Sequence, residues 1–257
     1  MKYNILLALD FAKRDFKERY VGTGLGQFWY IVSPLIMIFI YTVIFSDFMK
    51  MKMNIVNSDY AYSIYLIPGL LAWTAFANTI MKLNTSFFEK ANIIKKVNVP
   101  MYVFQLAIAL AEMVSLFISI FLGIGFLIII NHPVTVSFLW LVPLMILQTI
   151  FALGLGVIFS LFTPFFKDLK EIVPIFLQLW FWMTPIIYLS NMIKDKYPFL
   201  LKYNPYYYFV KQYQDIFLYS KIPSIKEILI VFIISVFSLI VAAFLYKKMV
   251  STIKDII

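Results

Sequence analysis

Charged residues are absent from long stretches of this chain and crowd into the short segments between them. From Val21 to Ser46 there is no Asp, Glu, Lys or Arg, and five further stretches are similarly apolar. A helix of about 20 apolar residues crosses the ~30 Å hydrocarbon core of a bilayer, where the backbone must satisfy its own hydrogen bonds. The pattern predicts an all-α integral membrane protein with six transmembrane helices, at about 28–47, 60–81, 102–130, 138–163, 172–193 and 228–246.

An amphipathic segment precedes the first of these spans. Over residues 4–20, apolar side chains such as Leu9 and Phe16 recur at helical spacing, while Lys13 and Lys17 fall largely on the other face. This pattern is typical of a helix that lies in the membrane interface. We therefore expect an N-terminal interface helix.

A glycine triplet at positions 22, 24 and 26 follows the interface helix and predicts a flexible joint where the chain turns into the membrane. It is not a phosphate-binding loop, because no strand precedes it and no Gly-Lys-Ser/Thr follows. The sequence contains no such ATP-binding motif, so the energy for any transport must come from another chain or from a gradient.

Composition excludes several classes of protein. Hydrophobic residues make up 63% of the chain and charged residues 14%, against about 45–50% and 25% in soluble domains. We expect a single transmembrane domain over residues 1–257. With no Cys there is neither a disulfide nor a thiolate metal site. The net charge of +9 is better explained by topology and by anionic membrane lipids than by nucleic acid.

Basic residues in the connections predict the orientation. Fourteen Lys and Arg lie on the side that contains both termini, and eight lie on the other, six of them within residues 194–227. Because basic residues in short loops stay in the cytoplasm, both termini are predicted to be cytoplasmic.

Two polar residues bear on whether the chain is an enzyme or a carrier. His132, the only histidine, falls in a short turn on the predicted outer side, which argues against a histidine-dependent enzyme or metal site. Glu112 is the only charged residue between Lys96 and Lys167 and lies near mid-membrane. It is either a proton or cation site or a buried polar contact between helices. No second in-membrane carboxylate offers a relay, which favours the structural role.

Aromatic residues form a candidate lining for a sugar pathway. Aromatic faces pack on the C–H-rich faces of sugar rings, and Trp29, Trp180, Phe181, Trp182 and Tyr188 are the candidates, although an interfacial belt explains many other aromatics. At 100° per residue, Phe181 and Tyr188 share a helix face that Trp182 does not. We expect that shared face to line the pathway and Trp182 to pack on a neighbouring helix, with the opposite arrangement still open.

Two groups of charged residues are candidates for partner and substrate contacts. Segment 167–171 and the stretch that contains Glu89, Lys95 and Lys96 are short and predicted to be cytoplasmic, so they are either solvated loops or a docking surface. At the predicted membrane interface lie three further basic residues, Arg14, Lys17 and Arg19. Arg binds phosphate oxygens through a two-pronged fork.

Short motifs occur in one order along nearly the whole chain: Arg19-Tyr20, Leu-Gly-Gln-Phe-Trp at 25–29, Pro34, Tyr-Thr-Val-Ile-Phe-Ser at 41–46, Tyr-Ala-Tyr at 60–62, Pro-Gly-Leu at 68–70, Phe-Lys-Asp-Leu-Lys-Glu at 166–171, Phe-Trp-Met-Thr-Pro-Ile-Ile-Tyr at 181–188 and Tyr-Asn-Pro at 203–205. This order resembles the permease subunits of ABC polysaccharide exporters.

The resemblance implies more than composition does. Such permeases are homodimers in the bacterial cytoplasmic (inner) membrane that bind two copies of a separate ABC ATPase and export a lipid-diphosphate-linked polysaccharide such as O antigen, capsule or teichoic acid. It implies a cytoplasmic coupling helix at about 84–98, short outer-side gate helices within 194–227, and substrate entry near the interface helix. Neither an enzyme activity nor a cofactor is expected. The alternatives are an ABC exporter of a small molecule or drug and, from another class, a proton-coupled carrier that uses Glu112.

Overall fold

The computed structural model describes residues 2–44, 60–91 and 99–256, and in these ranges the chain forms helices and no strand. We number the helices α1 (Lys2–Glu18), α2 (Trp29–Thr42), α3 (Ala61–Glu89), α4 (Tyr102–Ile129), α5 (Leu141–Phe162), α6 (Leu169–Met183), α7 (Ser190–Lys194), α8 (Pro198–Lys202), α9 (Tyr207–Tyr219) and α10 (Ile225–Ile256). Short 3₁₀ turns at Gly26–Phe28 and Val136–Trp140 lead into α2 and α5.

Within the described ranges, four helices are long and apolar enough to cross a membrane: α3, α4, α5 with its preceding turn, and α10. The prediction of an all-helical integral membrane fold is therefore confirmed at this level. Six transmembrane helices remain a prediction. The helix at the first predicted span is a shorter apolar one, Gly26–Thr42, and residues 45–59 lie outside the described ranges.

The helix at the fifth predicted span is shorter than the expected 172–193. It ends at Met183, and Thr184 is extended, with φ −102° and ψ 129°. Pro185 explains this ending, because a proline disfavours the helical conformation of the residue before it. The Thr184 hydroxyl donates to the Trp180 carbonyl at 2.8 Å. This bond gives a partner to one of the last-turn carbonyl groups that have no partner within the helix.

Helix α3 forms the centre of the bundle. Most of its residues are buried, and α4, α5, α6 and α9 pack around it. Its buried residues lie on all sides of the helix, as expected for a helix that others surround. The main apolar cluster collects side chains from these helices around Phe76 and Ile80.

The structure describes the whole predicted gate region and only part of the predicted coupling segment. The predicted gate region 194–227 contains α8 and α9, and α7 ends at its first residue. The predicted coupling segment 84–98 begins as the last turns of α3, which continues to Glu89. Residues 92–98 lie outside the described ranges.

Candidate functional site

The end of α1 brings a basic residue into the bundle. Helix α1 packs on α4, with Ala12 buried and Phe11 stacked on Phe104 at 5.0 Å between ring centroids. After Glu18 the chain turns, and Gly22 and Gly26 adopt positive φ angles of 88° and 52°. This left-handed backbone conformation favours glycine, so the glycine triplet supplies the turn that leads into α2.

Five charged side chains from α1, α3, α4 and the segments that follow α1 and α3 meet beside this turn, and we call them the charged junction. The Arg19 guanidinium binds the Glu112 carboxylate, and Lys82 Nζ lies 2.8 Å from the same Glu112 oxygen. Asp15 lies 3.9 Å from Lys82 and 3.8 Å from Lys90. Among the described residues, the junction as defined brings together three cationic groups and two carboxylates.

Glu112 is the most deeply buried member of the junction, at 2% exposure. The arrangement has the form of a polar contact between helices, because the partners of Glu112 come from the end of α1 and from α3. Its role is still a prediction, and the geometry favours the structural alternative over a proton relay.

Arg19 also packs on aromatic residues. Its guanidinium carbon lies 5.1 Å from the centre of the Tyr30 ring, within the range of a cation–π interaction. Tyr30 is itself held by Phe16: the rings stack at 3.9 Å, and the Tyr30 hydroxyl donates to the Phe16 carbonyl at 3.0 Å. The Nε of Arg19 is buried and has no hydrogen-bond partner among the described residues.

A cleft of about 120 Å³ opens beside Arg19 between α2, α3 and α4, and we call it the polar cleft. Hydroxyl and amide groups share its wall with aromatic rings. The lining residues that carry this chemistry are Arg19, Trp29, Tyr30, Ser33, Thr74, Asn78, Ser115 and Ser119. Such a wall combines a guanidinium, which pairs with Glu112 of the same wall, with hydrogen-bonding groups for sugar hydroxyls and ring faces for sugar C–H groups.

The three basic residues predicted for substrate entry lie in different environments. Arg14 is 69% exposed at its side chain and pairs with Glu18 one turn along α1, at 2.7 Å. Lys17 is exposed as well. Arg19 alone of the three lines the polar cleft. The structure therefore does not bring the three together at one site.

The aromatic residues predicted to line a channel also lie in different environments. Trp29 lines the polar cleft. Trp180 is part of an aromatic cluster in the bundle, and its indole N–H donates to the Asn204 amide oxygen at 2.8 Å. The rings within 6.5 Å of Trp180 are those of Trp73, Phe76, Phe151, Phe176 and Tyr206. Within the described chain, Trp180 is a packing residue.

The expected arrangement of Phe181, Trp182 and Tyr188 is corrected. Trp182 is 58% exposed, and its ring lies 5.5 Å from that of Phe181 on the same helix. Phe181 is partly buried, with its ring 5.7 Å from Trp73. Tyr188 lies beyond the end of α6, so it shares no helix face with Phe181, and its hydroxyl donates to the Trp182 carbonyl at 2.9 Å. The prediction that Phe181 and Tyr188 share a helix face was wrong because Pro185 ends the helix before Tyr188.

A buried amide joins three helix ends next to the predicted coupling segment. The Asn84 Nδ2 donates to the Leu169 carbonyl at 3.0 Å, and the Thr163 hydroxyl donates to the Asn84 Oδ1 at 2.6 Å. The sequence analysis did not single out Asn84, because one Asn in a predicted apolar helix does not by itself indicate a functional role. Lys170 Nζ lies 3.7 Å from the Phe88 ring centre. Segment 167–171 therefore lies beside the end of α3.

The three residues predicted for ATPase contact are only partly described. Glu89 is exposed at the end of α3 and accepts a hydrogen bond from Thr85 at 2.6 Å. Lys95 and Lys96 lie outside the described residues.

Ion pairs partly neutralise the basic 194–227 connection. Lys211 and Lys221 lie 2.8 and 3.7 Å from Glu227, and Asp215 lies 3.4 Å from Lys221. Burial by itself lowers the pKa of Lys211, but its hydrogen bond and charge interaction with Glu227 raise the pKa above the ordinary value. Burial raises the pKa of Asp215 despite the two lysines. Two of the six lysines in this connection are thus paired.

Comparison with known proteins assigns the family. The profile of the ABC-2 type transporter family matches residues 11–218. The chain is 33% identical over 223 residues to an O-antigen export system permease protein RfbA of Klebsiella pneumoniae, covering 85% of this chain and 84% of that protein. It is 24% identical over 244 residues to the protein of the same name from Myxococcus xanthus, covering 94% and 92%.

These matches and the long apolar helices confirm the resemblance found in the sequence motifs. The chain belongs to the ABC-2 type transporter family and is a multi-pass membrane subunit of a transporter.

Proposed function

We propose that the chain is the transmembrane subunit of an ATP-driven exporter that moves a lipid-diphosphate-linked polysaccharide across the bacterial cytoplasmic membrane. The names of its relatives support export of a polysaccharide of the O-antigen type. Both termini lie in the cytoplasm in this proposal, which places α1 and the charged junction at the inner side of the membrane.

The polar cleft is the observation that carries the proposal. Arg19 contributes a guanidinium at its wall, and Trp29 and Tyr30 contribute ring faces. A diphosphate group that enters the cleft from the cytoplasmic side would meet Arg19, while the first sugar would meet the hydroxyl-rich wall. The cleft is formed by α2, α3, α4 and the turn after α1, the region where the family resemblance implies substrate entry.

A separate ATPase would dock on the end of the bundle that contains Asn84. There the predicted docking segments come together, since Lys170 packs on Phe88, next to Glu89. We propose a complex of two permease chains and two ATPase chains, in which α6 faces the central pathway. The exposed ring of Trp182 and the apolar side chains Ile175 and Leu179 are available for that role.

The polar cleft and the burial of Glu112 weigh against the alternative functions. A proton carrier needs a carboxylate that can release its proton into a relay, but Glu112 is held by Arg19 and Lys82. A small-molecule exporter of the same family has no need for a phosphate-binding fork beside a wall of hydroxyl groups.

Reconstitution tests the proposed function. The full-length chain is co-expressed with the ATPase encoded beside it and placed in vesicles with the fluorescently labelled lipid-diphosphate-linked polymer of the source organism. We expect ATP-dependent transfer of the polymer across the bilayer, no ATP hydrolysis by the permease alone, and a complex of two plus two subunits by native mass spectrometry. Gradient-driven transport by a monomer, or transport of drugs but not of polymer, would overturn the proposal.

A further inference from the structure

We propose that a crevice between α4, α5 and α10 is a binding site for one anionic membrane phospholipid, with an acyl chain in the crevice and the headgroup at Lys247. This site is separate from the proposed transport function. The polar cleft and this apolar crevice share no lining residue.

The crevice is a sizeable and almost entirely apolar hollow. Its volume is about 370 Å³, and its walls include Leu106, Leu153, Val157 and Leu239. Ala242 leaves the space open, because a larger residue there would fill it. An apolar hollow of this kind excludes water and binds hydrocarbon groups. Since α4, α5 and α10 are all membrane-spanning candidates, the hydrocarbon at hand is a lipid acyl chain.

Polar groups gather at one end of the crevice. The Tyr102 backbone N–H donates to the Tyr246 hydroxyl at 3.1 Å, and the Tyr102 hydroxyl accepts a hydrogen bond from Asn4 of α1 at 2.6 Å. Tyrosines of this kind mark the membrane–water interface. Lys247 lines the same end and is exposed. It lies 22 residues after Ile225, about 33 Å along α10, which corresponds to a full bilayer crossing.

Two groups at this end lack a protein partner. Over residues 2–44, 60–91 and 99–253, no carboxylate forms an ion pair with Lys247. Gln105 also lines the crevice; its Nε2 donates to Ser160 at 2.6 Å, while its buried Oε1 has no partner among the described residues. A free cation and a free acceptor suit the phosphate and the hydroxyl groups of phosphatidylglycerol. Basic pockets between transmembrane helices bind anionic headgroups in this way.

Lipid retention tests the site. The full-length protein is equilibrated with vesicles of equimolar phosphatidylcholine and phosphatidylglycerol, extracted in mild detergent and analysed by native mass spectrometry. We expect one phosphatidylglycerol per chain to remain bound. Ala243→Trp should remove it, because Ala243 is exposed in the crevice and the indole would fill the space. Phe237→Trp is the matched control, since Phe237 lies on the same helix at 66% exposure and does not line the crevice.

A second variant separates headgroup binding from packing. Lys247→Gln leaves the crevice unchanged and should lower retention of phosphatidylglycerol about fivefold, the contribution of one lysine near an anionic surface, without changing retention of phosphatidylcholine. Equal retention in the Ala243→Trp and Phe237→Trp proteins would overturn the site. Equal retention of the two lipids by the unmodified protein, or a retained mass equal to that of a lipid-diphosphate carrier, would overturn the assignment to an anionic phospholipid.

Discussion

The guanidinium of Arg19 binds the carboxylate of Glu112, 93 residues further along the chain, and so fastens the end of α1 to α4. Glu112 is thereby paired inside the bundle, and Arg19 lines the polar cleft. The same contact adds to the packing of α1 on α4 and to the Phe16–Tyr30 contacts, which also hold the turn.

Removal of Glu112 should destabilise the protein strongly. Glu112→Ala leaves Arg19 and Lys82 partly buried without their shared anion, and the loss of one partner from a buried ion pair costs about 3–5 kcal/mol. Thermal unfolding in detergent, monitored by the protein's own fluorescence, should show a melting temperature well below that of the unmodified protein. Glu89→Ala is the control, because Glu89 is exposed, and it should leave the melting temperature almost unchanged. Equal effects of the two variants would contradict the buried ion pair.

Arg19 and Arg14 should differ in their sensitivity to replacement by lysine. Arg19→Lys keeps the charge but loses the fork that reaches Glu112, Ser115 and an incoming phosphate. ATP-dependent export in the reconstituted system should fall at least several-fold. Arg14→Lys preserves an exposed pair with Glu18 of small energetic value, and export should be unchanged. Loss of export in both variants, or in neither, would argue against Arg19 as the phosphate contact.

Cysteine labelling should distinguish the aromatic residues of α6. Single cysteines at positions 180, 181, 182 and 188 can be introduced directly, because the chain contains no Cys. With a membrane-impermeant polar thiol reagent, we expect the cysteine at 182 to react fastest and the one at 180 to be protected. Trp182 is exposed, whereas Trp180 packs in the aromatic cluster. Protection at both positions would remove α6 from the water-filled pathway.

Apolar stretches indicate where long helices lie, because each such stretch has a single way to satisfy its backbone in lipid. Helices α3 and α10 continue to Glu89 and Ile256, beyond the predicted ends at 81 and 246. Helix α4 at Tyr102–Ile129 lies within one residue of the predicted 102–130. The fifth span was predicted to end too late in the chain. Pro185 ends the helix through the backbone of Thr184 and leaves the hydropathy of the stretch unchanged, so hydropathy does not reveal it.

Pairing of side chains was much harder to predict than the helices. Nothing in the sequence near Glu112 identifies Arg19 and Lys82 as its partners, because they lie 93 and 30 residues away and meet only through helix packing. The partners of Asn84 are equally hard to predict, since Thr163 follows α5 and Leu169 begins α6. Trp29 and Arg19, which the sequence singled out for the pathway and for substrate entry, line one cleft, and both roles stay predictions.

Close helix packing predicts opposite effects for two glycines. A Cβ at Gly154 of α5 would lie 2.7 Å from the backbone carbonyl carbon of Ser238 in α10, too close for any side-chain adjustment to relieve. Gly154→Ala should therefore lower the melting temperature by forcing the helices apart. At Gly125 of α4 nothing lies within 4 Å of the added carbon. Gly125→Ala should be neutral or stabilise the helix by up to about 1 kcal/mol. A neutral Gly154→Ala would contradict the α5–α10 contact.

Asn84 should couple events at the end of α3 to the position of α6. Its amide donates to the Leu169 carbonyl and accepts a hydrogen bond from Thr163. We expect this link to carry movement of the α3 end to the helix that contains Trp182. Asn84→Asp keeps the acceptor for Thr163 and loses the donor to Leu169. We expect less polymer exported per ATP hydrolysed, with the rate of hydrolysis by the complex retained. Thr163→Val is the matched control, because it removes the other hydrogen bond and leaves the link to α6. If Asn84→Asp lowers hydrolysis and export in the same proportion, Asn84 only stabilises the fold and transmits nothing.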